Sequence, residues 1–509
     1  MVRLRGGREP GPARSSGERG VESIRRNTLF ALGIQLSGAV FTGGLTIFLV
    51  RVLGPTDYGI FALAFSIGAM VLLPSDLGVS QSAARFIAER RGDPEGISRV
   101  LGDAISLKLL GSGLVSAALV AAAGPIASAY DVPELEGALR IIALATFGQS
   151  FMFLFMASFA ALARSSIGFR LAFSESAVEA TASVTFVLLG AGITGAVWGR
   201  AVGFCFGGLA GFLLLHRLLG GGRFRPTTRP GEGIRQVARY AGALFVIDGA
   251  YSLFSQIDTL LIGAILNARE AGEFAAPFRL MTLVQLPGLA VADGVAPRMA
   301  RGGAEPPNVA ALQGAIRYLL LLQFAAVAPA IFLAEPLVEL LLGSDYGDSV
   351  AVIQALAPYV LVTGLIPLVS LAVNYLGEAR RRVPLAVAAV VINTLLDIAL
   401  IPQIGIVAAA IGTDVASIVY LGGHIWICHD IVGLNLRALG VSLLRATLAA
   451  GVMAATLGAA TVLLPGLALL ASLPAGLIAY VGALLLVREV SRAELEAAPR
   501  ALRGLLVRS

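Results

Sequence analysis

Apolar residues dominate this 509-residue chain in long uninterrupted runs, cut by short clusters of Gly, Pro and charge. A run of about 20 apolar residues crosses a bilayer core of about 30 Å as one helix, whereas a membrane barrel alternates apolar and polar positions over about 10. The pattern predicts fourteen transmembrane helices, at about 29–50, 58–81, 101–123, 138–162, 170–191, 195–216, 237–262, 272–296, 312–333, 351–376, 383–401, 405–428, 440–463 and 465–487. The expected fold class is an all-α polytopic membrane protein. Its expected organisation is a basic disordered tail (1–28), a six-helix lobe (29–216), a linker rich in Gly, Pro and Arg (217–236), a second six-helix lobe (237–428), an extra helix pair (429–487) and a basic amphipathic tail (488–509).

Charge supports the count. Alternate connections carry arginines: Arg85, Arg90, Arg91 and Arg99 after the second run, Arg217, Arg223, Arg225 and Arg229 after the sixth, Arg380, Arg381 and Arg382 after the tenth. The connections between them are nearly bare of cations, with Arg51 and Arg269 as the main exceptions. By the positive-inside rule both termini are expected in the cytoplasm of a multi-pass cell-membrane protein.

Composition narrows the function classes. With 57% hydrophobic and 14% charged residues, a soluble chain of this length could not cover its apolar surface. The net charge of +6 is spread over helix ends, which is no nucleic-acid footprint. Lys108 is the only lysine. Cys205 and Cys428 lie in apolar runs, and His216, His424 and His429 lack metal-ligand spacing, so neither a disulfide framework nor a metal centre is expected. The outer connections are short and carry no convergent His, Arg and acid set, which argues against a membrane enzyme.

The chain repeats itself. A shift of 213 residues lays Thr46 on Thr259, Leu53 on Leu266, Gly59 on Gly272, Phe65 on Phe278, Pro74 on Pro287 and Arg85 on Arg298. Six runs, an even number, separate the copies, so both halves enter from the same side. That is a parallel repeat about an axis along the membrane normal, an arrangement that lets two lobes rock around a central cavity. Gly54 and Pro55 should end the first helix, and Pro74 and Pro287 are candidate hinges inside their helices.

Leu49–Glu89 carries Arg51, Leu53, Gly54 and Pro55, then Tyr58, Gly59, Phe61 and Ala62, then Asp76, Leu77, Gly78, Gln81, Arg85 and Phe86. This stretch resembles the opening of the polysaccharide-transporter flippases, in the superfamily that also holds multidrug extruders and the peptidoglycan-precursor flippase. Leu340–Pro358 is similar to an outer segment of that family. The resemblance implies a carrier of polyprenyl-pyrophosphate-linked oligosaccharide working by alternating access. It implies no cofactor beyond H+ or Na+ coupling, and glycosyltransferases or a glycan polymerase as partners. The alternative within the superfamily is a multidrug or organic-cation antiporter.

Ionisable residues inside a membrane are costly and are functional candidates by default. For a pyrophosphate the candidates are Arg279, Arg200 and Arg51, each with a planar fork suited to phosphate. For a coupling ion they are Asp248, Glu179, Glu175, Asp258 and Asp397, with Asn393 sharing the Asp397 face. The bland alternatives are snorkelling arginines and ion pairs between acids and Arg279 or Arg200.

Overall fold

The computed structural model describes residues 24–221, 224, 232–300, 306–463 and 471–496, with the backbone alone at 24–29, 31–32, 232–248 and 461–462. Residues 1–23 of the expected tail 1–28, residues 222–223 and 225–231 of the linker 217–236 and residues 497–509 of the tail 488–509 lie outside the described residues; residues 24–28 already belong to the first helix.

All regular structure among the described residues is helical. In chain order the helices are α1 (Ile24–Asp76), α2 (Val79–Glu89), α3 (Pro94–Ala129), α4 (Glu134–Ala161), α5 (Ser165–Phe186), α6 (Gly192–Leu218), α7 (Glu232–Ile265), α8 (Ala268–Met281) and α9 (Leu286–Val295). There follow α10 (Val309–Phe332), α11 (Ala334–Leu341), α12 (Ser349–Ala355), α13 (Ala357–Thr363), α14 (Leu365–Tyr375), α15 (Ala379–Ile404), α16 (Val407–Val432), α17 (Leu436–Leu463) and α18 (Leu473–Leu486). Ten helical runs are long and apolar enough to cross a membrane. Two of these are each long enough to cross twice and are bent by glycines that adopt left-handed backbone. At 1.5 Å per residue, the 53 residues of α1 exceed twice a bilayer core; the chain turns at Gly54 (φ 73°). The 54 residues Ser165–Leu218 turn through a π-helical segment at Gly190 (φ 88°) and Gly192 (φ 52°). Side chains such as Leu188, Leu209, Leu395 and Ile478 point outward from the bundle, as a lipid-facing surface requires.

Several expected helices are broken. The run 272–296 gives way after Met281 to a 3-10 turn, Thr282–Gln285, before Pro287 restarts it as α9. The run 58–81 ends at Asp76, where Leu77 and Gly78 both have positive φ. The run 351–376 is three short helices, α12 to α14. Pro287, Pro358 and Pro367 explain the first and third of these breaks, because proline removes an amide donor and clashes with the preceding turn; at the second, the left-handed backbone of Leu77 and Gly78 ends the helix just after Pro74.

Helices α3, α4, α5 and α6 pack on α1, and α15 and α16 pack with α7 and α14. The α17–α18 pair packs on α10 through Met453, Leu457 and Tyr480. The two halves meet where α1 crosses α8. A Cβ on Gly59 would fall on the Ala268 carbonyl, and one on Gly272 would fall on the Pro55 carbonyl. The 213-residue shift pairs Pro55 with Ala268 and Gly59 with Gly272, so the contact is reciprocal about the repeat axis. Lipid tails remove most of the hydrophobic drive for helix association, so close approach at small residues must supply it.

The two outer arginines that break the charge alternation serve this junction. Arg51 donates to the carbonyls of Glu339, Leu340 and Leu341, the last turn of α11. Arg269 pairs with Glu273 at 3.0 Å and donates to the Asp345 carbonyl at 3.3 Å. Both therefore hold the 339–345 segment against the starts of the repeated helices.

Candidate functional site

A cavity of about 320 Å³ lies between the two halves, walled by α1, α7, α8, α13, α14, α15 and α16. Its polar groups come mainly from Thr42, Ser66, Gln256, Thr259, Gln285 and Ser417, and its aromatic ones include Tyr58, Phe65, Tyr251, Phe254, Phe278 and Tyr359. Among the described lining residues the one charge is Arg279.

Two cations meet at Phe65. The Arg279 guanidinium lies 4.1 Å from its ring centroid and the Arg200 guanidinium 4.4 Å, with Arg200 also 4.7 Å over Phe204. The negative face of an aromatic ring holds a guanidinium with about 0.5–2 kcal/mol. Arg200 also forms an ion pair with Glu179 at 2.8 Å. No carboxylate pairs with Arg279 among the described residues. Arg279 thus keeps free donors toward the cavity, whereas Arg200 is partly neutralised behind it.

The Glu179 pair rests on a glycine ladder. Gly195, Gly199, Gly203 and Gly207 recur one turn apart on α6 and face Phe186, Ser183, Glu179 and Glu175 of α5. A Cβ at Gly203 would stand 2.6 Å from Glu179 Cβ, and one at Gly207 would stand 3.0 Å from Glu175 Cγ. Only glycine lets the two helices carry carboxylates at so close an approach. Glu175 Oε2 accepts from the Ser176 hydroxyl at 3.2 Å, while its Oε1 is buried without a donor among the described residues.

The second half holds a different acid cluster. Asp258 of α7 accepts hydrogen bonds from Asn393 Nδ2 of α15 and Thr413 Oγ1 of α16. Asp397, one turn beyond Asn393, is fully buried beside Asp258. Both Asp397 oxygens and Asn393 Oδ1 lack a donor among the described residues. A Cβ at Gly412 would fall on Asp397 Oδ1 and stand 2.9 Å from Asn393 Oδ1. Two carboxylates, an amide oxygen and a hydroxyl with no basic partner form an oxygen cage suited to a hard cation.

The remaining candidates separate. Arg51 is not among the cavity-lining residues; its Nε and Nη2 donate to the α11 carbonyls. Asp248 lies in α7, in the stretch where the backbone alone is described. Pro74 stands two residues before the end of α1 and Pro287 opens α9, so both prolines sit at breaks in the repeated helices. Two features escape sequence reasoning. Lys108 is buried and donates to Asp76 and to the carbonyl and hydroxyl of Ser150, at 2.7 and 2.8 Å, which pins the end of α1 to α3 and α4. The isolated lysine in an apolar run was its signal. Arg382 is buried beside His424, although its place in an arginine triplet reads as a surface anchor.

Residues 24–302 match a family model described as polysaccharide biosynthesis protein. Among solved structures, the chain is similar to the lipid II flippase MurJ in an inward closed conformation, with a TM-score of 0.67, 15% identity, and coverage of 91% of this chain and 99% of that one. It is also similar to an inward-facing multidrug resistance MATE family transporter of the MOP superfamily, with a TM-score of 0.62, 17% identity, and coverage of 82% and 97%. An outward-facing transporter of the same description gives 0.57, 17%, 81% and 95%. No curated protein sequence matches the chain significantly. At these identities the structural likeness speaks to the fold.

Proposed function

The chain belongs to the polysaccharide biosynthesis protein family, whose fold is that of transporters rather than enzymes, and on that premise we propose that it carries polyprenyl-pyrophosphate-linked oligosaccharide across the cell membrane. The observation that carries this reading is the cavity between the halves, whose charge among the described lining residues is the single cation Arg279. An anionic headgroup suits that lining. An organic cation, the cargo of the alternative antiporter reading, would face a guanidinium and no lining carboxylate.

In this mechanism the prenyl tail stays in lipid while the pyrophosphate enters the cavity and meets Arg279. Guanidinium binds phosphate oxygens in a planar, two-point fashion. The hydroxyl and amide groups of Ser66, Gln256 and Gln285 receive sugar hydroxyls. Access alternates as the halves pivot at the Gly59–Gly272 crossing, and the helix breaks after Pro74 and before Pro287 absorb the bending. Arginine alternation supports cytoplasmic termini, and with that orientation the headgroup is loaded from the inner leaflet.

Coupling is assigned to Asp258, Asn393, Asp397 and Thr413. A Na+ ion or a proton shared between the two carboxyl groups removes one of their two negative charges, relieves their repulsion and draws α7, α15 and α16 together. That biases the cycle by the differential affinity of its two states for the ion. Glu179 and Glu175 serve mainly to hold α5, α6 and Arg200.

The test is deletion of the gene in its native cell, with lipid-linked glycan located by a membrane-impermeant glycan label. The expected result is glycan hidden in intact cells and exposed on lysis. Normal outward exposure without accumulation contradicts the proposal.

A further inference from the structure

Arg382 occupies the first turn of α15, where the helix dipole is positive and a cation is unfavourable. It is buried, with 9% of its surface exposed. Its donors reach only neutral acceptors: Nε to His424 Nε2 at 3.2 Å, Nη1 to Asn374 Oδ1 at 2.6 Å and Nη2 to Tyr420 Oη at 3.3 Å. Because His424 Nε2 accepts, the ring proton sits on Nδ1, which donates to the Tyr420 carbonyl at 2.8 Å. The imidazole is therefore neutral. No carboxylate pairs with Arg382 among the described residues, although its neighbour Arg381 pairs with Asp430 at 2.8 Å. A buried guanidinium without counter-charge is strongly unfavourable unless something else compensates it.

Its position says what that is. Ala386 and Ala389, on the same face of α15, line the cavity. Arg382 is one turn before Ala386, about 6 Å along the axis. Tyr420 lines the cavity and accepts from Arg382. Rotation of that one side chain opens the guanidinium to the cavity, with two of its five N–H groups already unused.

We propose that Arg382 is a second anion station of the cavity, taking the phosphate groups of the substrate at the end where α15 begins, with Tyr420 as its door. The proposal rests on the carrier reading given above and deepens it. The pyrophosphate passes between Arg382, near the side on which α15 starts, and Arg279, deeper along α8. Asp397 lies farther along α15 from Arg382, with Asp258 of α7 beside it, behind the cavity lining.

The test uses the purified full chain in detergent, with farnesyl pyrophosphate as the probe and farnesol as the uncharged control. Binding is followed by calorimetry for the wild type, Arg382→Gln, Arg382→Lys and Arg279→Gln. The expected result is pyrophosphate-dependent binding by the wild type, weakened about tenfold by Arg382→Gln. Arg382→Lys should recover part of the loss, because a point charge replaces the fork. Arg279→Gln should weaken binding separately. Wild-type binding that Arg279→Gln weakens and Arg382→Gln leaves intact overturns the station alone. A wild type that binds neither probe overturns the station and the carrier reading together. If Arg382→Gln fails to fold, the wild type is treated with an arginine-selective dicarbonyl and Arg382 modification is read by mass spectrometry. Protection by farnesyl pyrophosphate and not by farnesol is expected; equal modification in both overturns the proposal.

Discussion

The two halves of the molecule each bury a pair of carboxylates in helices, and the pairs differ in their company. In the first half Glu179 is tied to Arg200 at 2.8 Å and Glu175 lies behind it, both sunk into the α6 glycine ladder. In the second half Asp258 and Asp397 sit with Asn393 and Thr413 and pair with no basic side chain among the described residues. The first arrangement supplies its own counter-charge and reads as structure. The second leaves negative charge in a dry site, where an uncompensated ion is costly. That difference is why the proposed coupling ion is assigned to the second cluster and not to the first.

Variants can break this contrast. The largest effect is expected from Asp258→Asn or Asp397→Asn, which should lower glycan translocation by about 100-fold, near the upper range of a coupling free energy. The same variants should raise thermal stability in Na+-free buffer and abolish stabilisation by Na+, both read by thermal melting. A drop in stability instead would place these acids in a structural role. Arg200→Gln should do the reverse, destabilising by about 2 kcal/mol, less than a fully buried pair would lose because both partners keep slight exposure. Glu179→Gln combined with Arg200→Gln should recover much of that loss in chemical denaturation, and failure to recover would mean the pair does not act as a unit.

Gly412→Ala comes next. Its Cβ falls on Asp397 Oδ1 and should weaken Na+ binding about tenfold, or 1.4 kcal/mol, with the fold intact. Ion titration followed by melting checks it, and unchanged affinity would move the cation elsewhere. The smallest effect concerns the α17–α18 pair. Hydrogen bonds from the Tyr318 hydroxyl, the Ser491 amide and Arg317 hold the Glu494 carboxyl at about 2, below its ordinary 4.5. A depressed folded value stabilises above 4.5 and is lost as pH falls toward 2. Proteolysis between α18 and the C-terminal tail should therefore stay slow at pH 5 and quicken only below 4.5, an onset that Glu494→Gln removes.

Sequence periodicity and arginine alternation were enough to read the helical membrane fold, and the 213-residue repeat paired Gly59 with Gly272, though not their contact at the crossing of α1 and α8. The shared face of Asn393 and Asp397 was also legible, because helical spacing fixes it. What joins them to Asp258 and Thr413 was not, since those contacts cross three helices. Arg51 was a pyrophosphate candidate with interfacial snorkelling as its alternative; its place on the carbonyls of α11, nearly 300 residues away, was not legible from a cation at a helix end. The α6 glycine ladder was not read from the sequence, because the spacing of Gly195, Gly199, Gly203 and Gly207 gains its meaning only from the facing side chains of α5. Arg382 looked like a surface anchor because burial is invisible in an arginine triplet.

The most direct test of the central claim is translocation in proteoliposomes holding a fluorescent polyprenyl-pyrophosphoryl glycan in one leaflet, with and without an imposed Na+ or proton gradient. The account predicts glycan movement to the far leaflet with the wild type, accelerated by one of the two gradients, and none with Asp397→Asn or Arg279→Ala. Movement that ignores both gradients and survives Asp397→Asn would contradict the coupling assignment, and no movement at all by folded wild-type protein would contradict the carrier reading itself.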